Sequence, residues 1–234
     1  MTWLPTTTGR VFDLMAPDWR AVDLMADVAD GLAKIARYTG TVPQGPFSVA
    51  QHSIVGADAV YRDTGDRAAA AAFLLHDAHE YVLNDKTSPA AEAEALTAEA
   101  LCPGAGGVVI QMQRLMKRRV DLAIYQAAGM GTDGCPERYR RIVAEYDLRM
   151  LVTERAHLLV PCGKRWAEAV EAAAPLRLVG RLTCWPWPKA ADEYRERLRR
   201  YLPETFAPQP APRAPTPGFA ARRKPAPAKI LTEA

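Results

Sequence analysis

His76-Asp77-Ala78-His79-Glu80 puts two imidazoles and two carboxylates into five residues, directly after the apolar run from Ala68 to Leu75. On a helix, His76 and Glu80 stand four residues apart and Asp77 and Glu80 three, so an imidazole and two carboxylates share one face within a turn. Ionised carboxylates beside a run that would be buried are costly unless paired, hydrogen-bonded or bound to a cation. A divalent ion would satisfy them together. His52 follows Ser48-Val49-Ala50-Gln51, a capping box in which Ser48 accepts from the Gln51 amide and the Gln51 side chain returns to the cap. It shares an inward face with Val49, Val55 and Ala59, where a lone histidine is ordinarily a hydrogen-bonded core residue. Asp147 is an acid among large apolar neighbours, on a helix opened by Pro136 whose inward face runs Val143, Asp147, Met150/Leu151, Glu154 and Leu158. Together, His52, His76, Asp77 and Asp147 would offer two nitrogens and two carboxylates from three helices, leaving positions on an octahedral ion for water and substrate.

The elements that must carry these residues are read from period and punctuation. Met25, Val28, Leu32 and Ile35 recur at helical steps and predict a first helix from about Trp19 to Gly40, after an extended lead-in. Arg37 and Tyr38 fall in its last turn, where the arginine suits the negative end of the dipole and the tyrosine packs. Two prolines and a glycine make residues 41–46 a loop. Asp66 caps the helix that carries His76 to Glu80, and Asn84 to Pro89 ends it, leaving Asp85 and Lys86 on the loop beyond. Residues 90–102 alternate Ala with Glu and read as a solvated helix or a flap. From Val108 an amphipathic helix would bury Met112, Leu115, Val120 and Ile124 and expose Arg114, Lys117, Arg118 and Arg119. A short helix near 166–174 follows. Trp185 and Trp187 read as packing anchors. A last helix opened by Pro188 would bury Ala191, Tyr194, Leu198 and Tyr201. Strand signals are nearly absent, so the expected class is all-α, a compact bundle.

Bulk composition narrows the function. With 234 residues and 49% hydrophobic content, the chain makes one domain, assigned to residues 1–202, with a tail at 203–234 that holds eight of the 19 prolines and is expected to be disordered. The tail carries five basic residues against two acidic, which accounts for the whole net charge of +3. The body is therefore balanced, and no stable nucleic-acid binding is expected. Cys102, Cys135, Cys162 and Cys184 form no CxxC pair, and the N-terminus lacks a signal-peptide core, so reduced thiols and a cytoplasmic location are expected. No run is long and apolar enough for a membrane span.

The pattern H…HD…D, carried by His52 in Phe47-Ser48-Val49-Ala50-Gln51-His52-Ser53, the doublet His76-Asp77, and Asp147 in Ala144-Glu145-Tyr146-Asp147-Leu148, resembles the HD superfamily of metal-dependent phosphohydrolases. The resemblance covers roughly Arg10 to Leu159 and is nearest to bacterial 5'-deoxynucleotidases and phage-type deoxynucleoside triphosphate hydrolases. It implies an HD-domain helical bundle with one divalent metal ion, Mn, Co, Fe or Zn by ligand softness, with Mg also possible. His52, His76, Asp77 and Asp147 would be the ligands. Glu80 and Asp85 stand where such enzymes assist attack by water. Arg37 and Tyr38 stand where an Arg-aromatic pair contacts substrate, Tyr replacing the usual Trp or Phe, and Lys86 would join Arg37 in holding phosphate. His79 is left as either a partner to the site or a plain helix residue. The expected reaction is release of phosphate from deoxynucleoside monophosphates by a metal-activated water. The alternatives are release of triphosphate from deoxynucleoside triphosphates, or a nucleotide-binding sensor or adaptor without turnover. A homo-oligomer is expected.

Overall fold

The computed structural model describes residues 1–206, and the chain over that range is all-α apart from a small antiparallel pair, β1 (Trp3–Pro5) with β2 (Val11–Asp13). The expected disorder beyond Phe206 lies outside the described residues. The tail boundary placed at Pro203 shifts, because Pro203–Phe206 forms a short helix, α10, folded back on the helix before it.

The first helix is shorter than its periodicity suggests. A π-turn at Leu24–Val28 runs into α1 (Ala29–Lys34), where the helix ends. Ile35 and Ala36 are extended instead: the Val49 amide donates to the Ile35 carbonyl at 3.0 Å and the Arg37 amide to the Phe47 carbonyl at 2.8 Å. This pairing with a segment a dozen residues away wins over local helix propensity. Arg37 and Tyr38 are therefore in a tight turn, Arg37–Gly40, docked on the start of α2 (Val49–Thr64).

Ser48 caps α2 as expected, accepting from the Gln51 amide at 3.1 Å. The Gln51 side chain does not return to the cap. Its amide donates to the Thr183 carbonyl and its oxygen accepts from the Trp185 amide, so it pins a distant segment onto α2. Trp185 accordingly packs on the core, whereas Trp187 stays largely exposed beneath the Lys34 ammonium.

Asp66 caps α3 (Arg67–Leu75) by accepting from the Ala68 and Ala69 amides. Residues 69–75 are all buried, which is the burial expected of a helix apolar on every side. The alanines at 69–72 let α2, α7 (Glu137–Leu158) and α9 (Trp187–Tyr201) pack around α3, and α1 lies against α9 and α2. The inward face predicted for α9, Ala191, Tyr194, Leu198 and Tyr201, is the buried one. After the short α4 (Glu80–Leu83), α5 (Ser88–Leu101) and α6 (Ala105–Ala127) form a hairpin whose second helix enters the core through Val120, Ala123, Ile124 and Tyr125. Met112 and Leu115, expected on the same inward face, are 50% and 48% exposed, the first half of α6 reaching beyond the core. The short α8 (Glu168–Ala172) packs on α7.

Gly56, in the middle of α2, marks the closest approach to α3. A Cβ there would lie 2.0 Å from Phe73 Cε1. Gly56→Ala should therefore destabilise the fold by about 1–3 kcal/mol, overpacking outweighing the roughly 1 kcal/mol gained in helix propensity. Chemical unfolding measures the difference, and a rise in the urea midpoint would contradict the tight α2–α3 contact.

Candidate metal centre

The motif does not sit on one continuous helix. After Leu75 the bonds tighten to i→i+3, Ala78 to Leu75 and Glu80 to Asp77, both at 3.0 Å, before α4 resumes. The helical spacing that grouped His76 with Glu80 is thereby undone. His76 instead faces His52 on α2 and Asp147 on α7, while Asp77, His79 and Glu80 form an adjacent group.

Four donor atoms converge. His52 Nε2 and His76 Nε2 are 3.4 Å apart. Asp77 Oδ2 lies 3.2 Å from His76 Nε2 and 3.7 Å from His52 Nε2, and Asp147 Oδ1 lies 3.7 Å and 3.3 Å from the same atoms. Two donors on one ion, each about 2.1 Å from it and about 100° apart, would be separated by about 3.2 Å, so the spacing suits a shared cation.

The ring orientations strengthen the fit. His52 Nδ1 is 2.6 Å from Glu154 Oε1, and His76 Nδ1 is 2.6 Å from the Phe73 carbonyl. Each partner is an acceptor, so each Nδ1 carries hydrogen, and each ring, once its Nε2 is deprotonated, presents that lone pair toward the other donors. Positive charge, a metal ion between the rings or protons on them, offsets the two carboxylates. Without a metal, the titration tendencies place that positive charge on the rings themselves. Burial alone would lower both imidazoles, yet Glu154 and Asp147 hold His52 raised, and Asp77 and Asp147 hold His76 well above the usual range. Against the opposing effect of burial, the imidazoles hold Asp77 and Asp147 low. Asp147 alone is open to solvent, its side chain 45% exposed.

Behind this set lies a buried group the sequence reading placed on the inward face of α7 without giving it a role. Glu154 is fully buried and receives His52 Nδ1, Arg37 Nε at 3.2 Å and the Tyr38 hydroxyl. Its position seven residues after Asp147, two turns along the same face, was the available signal. Arg37 also reaches Asp77 Oδ2 at 3.4 Å through Nη1, so it braces one carboxylate of the donor set. Tyr38 and Thr39 adopt φ of 56° and 52°, an unfavourable region for such residues. The Tyr38 carbonyl compensates by accepting from the Thr41 amide and from the Thr39 and Thr41 hydroxyls. With its hydrogen donated to Glu154, the Tyr38 hydroxyl is left as an acceptor only, beside the ring.

Glu80 is buried, and its Oε2 has no partner among the described residues. Burial, then the charges of Asp77 and Asp85, push its carboxyl up to about 9. Asp85 follows Asn84, whose φ of 66° turns the chain sharply out of α4, and burial raises its carboxyl too. His79 is buried and bonded through Nδ1 to Asp121 Oδ1 at 3.0 Å, which makes it a partner of the site's wall and not a plain helix residue. Lys86 departs from its expected place. It is exposed and held by both carboxylate oxygens of Glu94 at 2.7 and 2.8 Å. A cavity of about 200 Å³ opens beside the donors, lined by His76, Asp121, Tyr125, Cys135, Arg140 and Asp147 among others.

Among the described residues no helix is long and apolar enough to cross a membrane. No family model matches the chain. Over 91 residues it is 40% identical to an uncharacterized protein of Rhodobacter capsulatus, a stretch that is 37% of this chain and 45% of that protein, so the chain spans less than half the length of this curated relative.

Proposed function

We propose that this protein is a metal-dependent phosphohydrolase of the HD type that releases phosphate from deoxynucleoside 5'-monophosphates. The observation that carries the reading is the pair of Nε2 atoms 3.4 Å apart between two carboxylates, with a buried Glu80 oxygen in the adjoining group that has no partner among the described residues. His52, His76, Asp77 and Asp147 would hold one divalent ion. Such an ion lowers the pKa of water and neutralises phosphoryl charge. Glu80 would then take the proton from the attacking water, which requires its carboxyl to be ionised, and the ion's positive charge offsets the repulsion from Asp77. Asp85 would orient the water or return a proton to the leaving oxygen. Arg37, already fixed by Glu154 and Asp77, has its Nη2 group left to donate to a phosphate oxygen.

The monophosphate is preferred over the triphosphate on one observation. Besides Arg37, the cations near the donors are Arg140, itself shared with Glu137, and Lys117, whose charge acts on Glu80 and Asp85, while Lys86 is engaged by Glu94. A triphosphate would call for more positive charge.

Incubating purified protein with Mn or Co and a panel of deoxy- and ribonucleoside mono- and triphosphates, with chromatographic identification of products, tests the activity. Inorganic phosphate from the monophosphates is expected. Triphosphate released from the triphosphates alone would replace this substrate assignment, and metal binding without any product would leave the sensor reading. Metal binding has its own test. Saturating Mn or Co should stabilise the metal-stripped protein by about 3–4 kcal/mol, as for any ligand at some hundreds of times its Kd. Because the raised imidazoles must shed protons to ligate, that gain should grow with rising pH and fade in acid. His52→Ala should remove it, and an unchanged thermal shift in that variant would refute the ligand set.

A further inference from the structure

A second cleft, of about 630 Å³, opens between the starts of α3 and α7, and its walls include Asp66, Ala69, Arg138, Tyr139, Arg141 and Ile142. It shares no lining residue with the cavity beside His76. From Ala69 to His76 along α3 is seven residues, and from Tyr139 to Asp147 along α7 is eight, so the cleft lies about 10–12 Å from the donor set.

The cations of this cleft are not used by the fold. Arg138 and Arg141 are exposed, and among the described residues neither makes an ion pair or a hydrogen bond. Arg140, between them in sequence, is by contrast held by Glu137 and the Cys135 carbonyl. Arg138 lies over the Tyr139 ring, 4.7 Å from its centroid, and the Tyr139 hydroxyl has no partner among the described residues although the ring is packed. The acid in the wall, Asp66, is committed through Oδ1 to the Ala68 and Ala69 amides at 2.8 and 3.1 Å, which leaves its Oδ2 as an acceptor. Two free guanidinia against one carboxylate leave the cleft net positive. The placement is unfavourable for the isolated chain: like charges three residues apart on a helix repel, and cations at a helix start oppose its dipole. The start of α7 has no side-chain cap to offset them. An anion in the cleft relieves each of these costs.

We propose that this cleft binds a phosphate monoester of a small hydroxylated molecule, its dianion held between Arg138 and Arg141 with the Tyr139 hydroxyl donating to it. Planar guanidinia present paired donors that match phosphate oxygens, and two of them balance a dianion. The volume exceeds what a bare phosphate fills and falls in the roughly 300–1,000 Å³ of small-molecule sites. Ala69 and Ile142 give the organic part an apolar floor, and Asp66 Oδ2 can accept from one of its hydroxyls. Sugar phosphates and nucleoside monophosphates both carry this chemistry. The site needs no metal and stands apart from the hydrolysis proposed above.

Calorimetric titration of the metal-stripped full chain with ribose 5-phosphate, adenosine 5'-monophosphate, inorganic phosphate and ribose tests this. At least one ester is expected to bind with a millimolar or lower dissociation constant, about tenfold or more below that of inorganic phosphate, and ribose is expected not to bind. Tighter binding of the nucleotide supports the site with a nucleotide as its ligand, and equal or tighter binding of ribose 5-phosphate supports it with a sugar phosphate. The double variant Arg138→Glu, Arg141→Glu should weaken that ester about 30-fold or more with an unchanged urea midpoint, because neither side chain supports the core. Tyr139→Phe, which keeps the ring, should weaken it several-fold. Arg114→Glu, Arg118→Glu, which reverses two exposed charges on α6, should leave it unchanged. No binding of either ester at millimolar concentration, inorganic phosphate binding as tightly as both, or equal weakening by the two double variants would each overturn the site.

Discussion

Glu80→Gln is expected to lower turnover of a deoxynucleoside monophosphate about 10²- to 10⁴-fold while leaving metal content near that of wild type. The size is that of removing a positioned general base. Glutamine matches glutamate in shape, so the packing beside His79 is kept, but it cannot take a proton from water. It is also absent from the four converging donors, so ion binding should survive. The same substitution should act oppositely on stability. Burial and the nearby Asp77 and Asp85 raise the Glu80 carboxyl from its ordinary 4.5 to about 9. A carboxyl raised on folding contributes stability that is fully present below its unfolded pKa and is lost as pH climbs toward its folded one. In the metal-free protein, wild type should therefore weaken between about pH 4.5 and 9, a loss the glutamine variant escapes. Urea midpoints at pH 5 and pH 8 measure this. An inactive variant that is also less stable at pH 8 would mean that Glu80 holds the fold together, and one that loses its metal would mean that Glu80 is a ligand.

How much of this was legible from sequence depends on the range of the forces that decide each residue. Locally decided features came through: Ser48 and Asp66 do cap their helices, the buried face of α9 is the predicted one, and the all-α class follows from such periods. Asp147 stands out as an acid among large apolar residues, whereas His52, alone, reads as an ordinary core histidine and is singled out only by its place in the H…HD…D pattern. The errors lie where distant chain segments compete with local preference. Gly40 looked like a helix stop, but the extended pairing of Ile35 and Ala36 with residues 47–49 ends the helix at Lys34 and carries Arg37 over the donors. Gln51 satisfies the capping-box rule by type, yet Thr183 and Trp185 claim its side chain.

The break after Leu75 is the most instructive case. Nothing in His-Asp-Ala-His-Glu forbids a helix, and a continuous helix would have placed His76 and Glu80 on one face. The tightened turn lets the Phe73 carbonyl receive His76 Nδ1 and turns His76 toward His52 and Asp147, away from the group of Asp77, His79 and Glu80. Met112 and Leu115 teach a similar lesson about burial. Periodicity reports which residues share a face, and it does not say how far along the helix the core reaches.

Glu154 is the residue whose loss should cost the fold most. Three donors converge on one fully buried carboxylate: His52 Nδ1, Arg37 Nε and the Tyr38 hydroxyl. Burial alone would raise this carboxyl, yet Arg37 and His52 hold it below its ordinary range. Its contribution is therefore present above about pH 4.5 and is lost as pH falls through the lowered value. Glu154→Ala would leave the Arg37 guanidinium without its main counter-charge in a closed site and should cost about 3–5 kcal/mol, the usual penalty for breaking a buried ion pair from one side. Glu154→Gln tests a different property. Its carbonyl oxygen can still accept from His52 Nδ1, so ring orientation survives, but the carboxylate that makes the imidazole a stronger donor to a cation is gone. Metal affinity should fall about 10- to 100-fold, the range for changes to groups that orient metal-bound histidines. Titration with Mn or Co, followed by displacement of a coloured chelator, separates the two effects at a temperature where both variants remain folded. Wild-type affinity in Glu154→Gln would reduce Glu154 to a fold-stabilising role. Weakened binding that Glu154→Asp partly restores would establish that the carboxylate acts on the ion through His52, linking the turn at Arg37 and Tyr38 to the chemistry at His76 and Asp77.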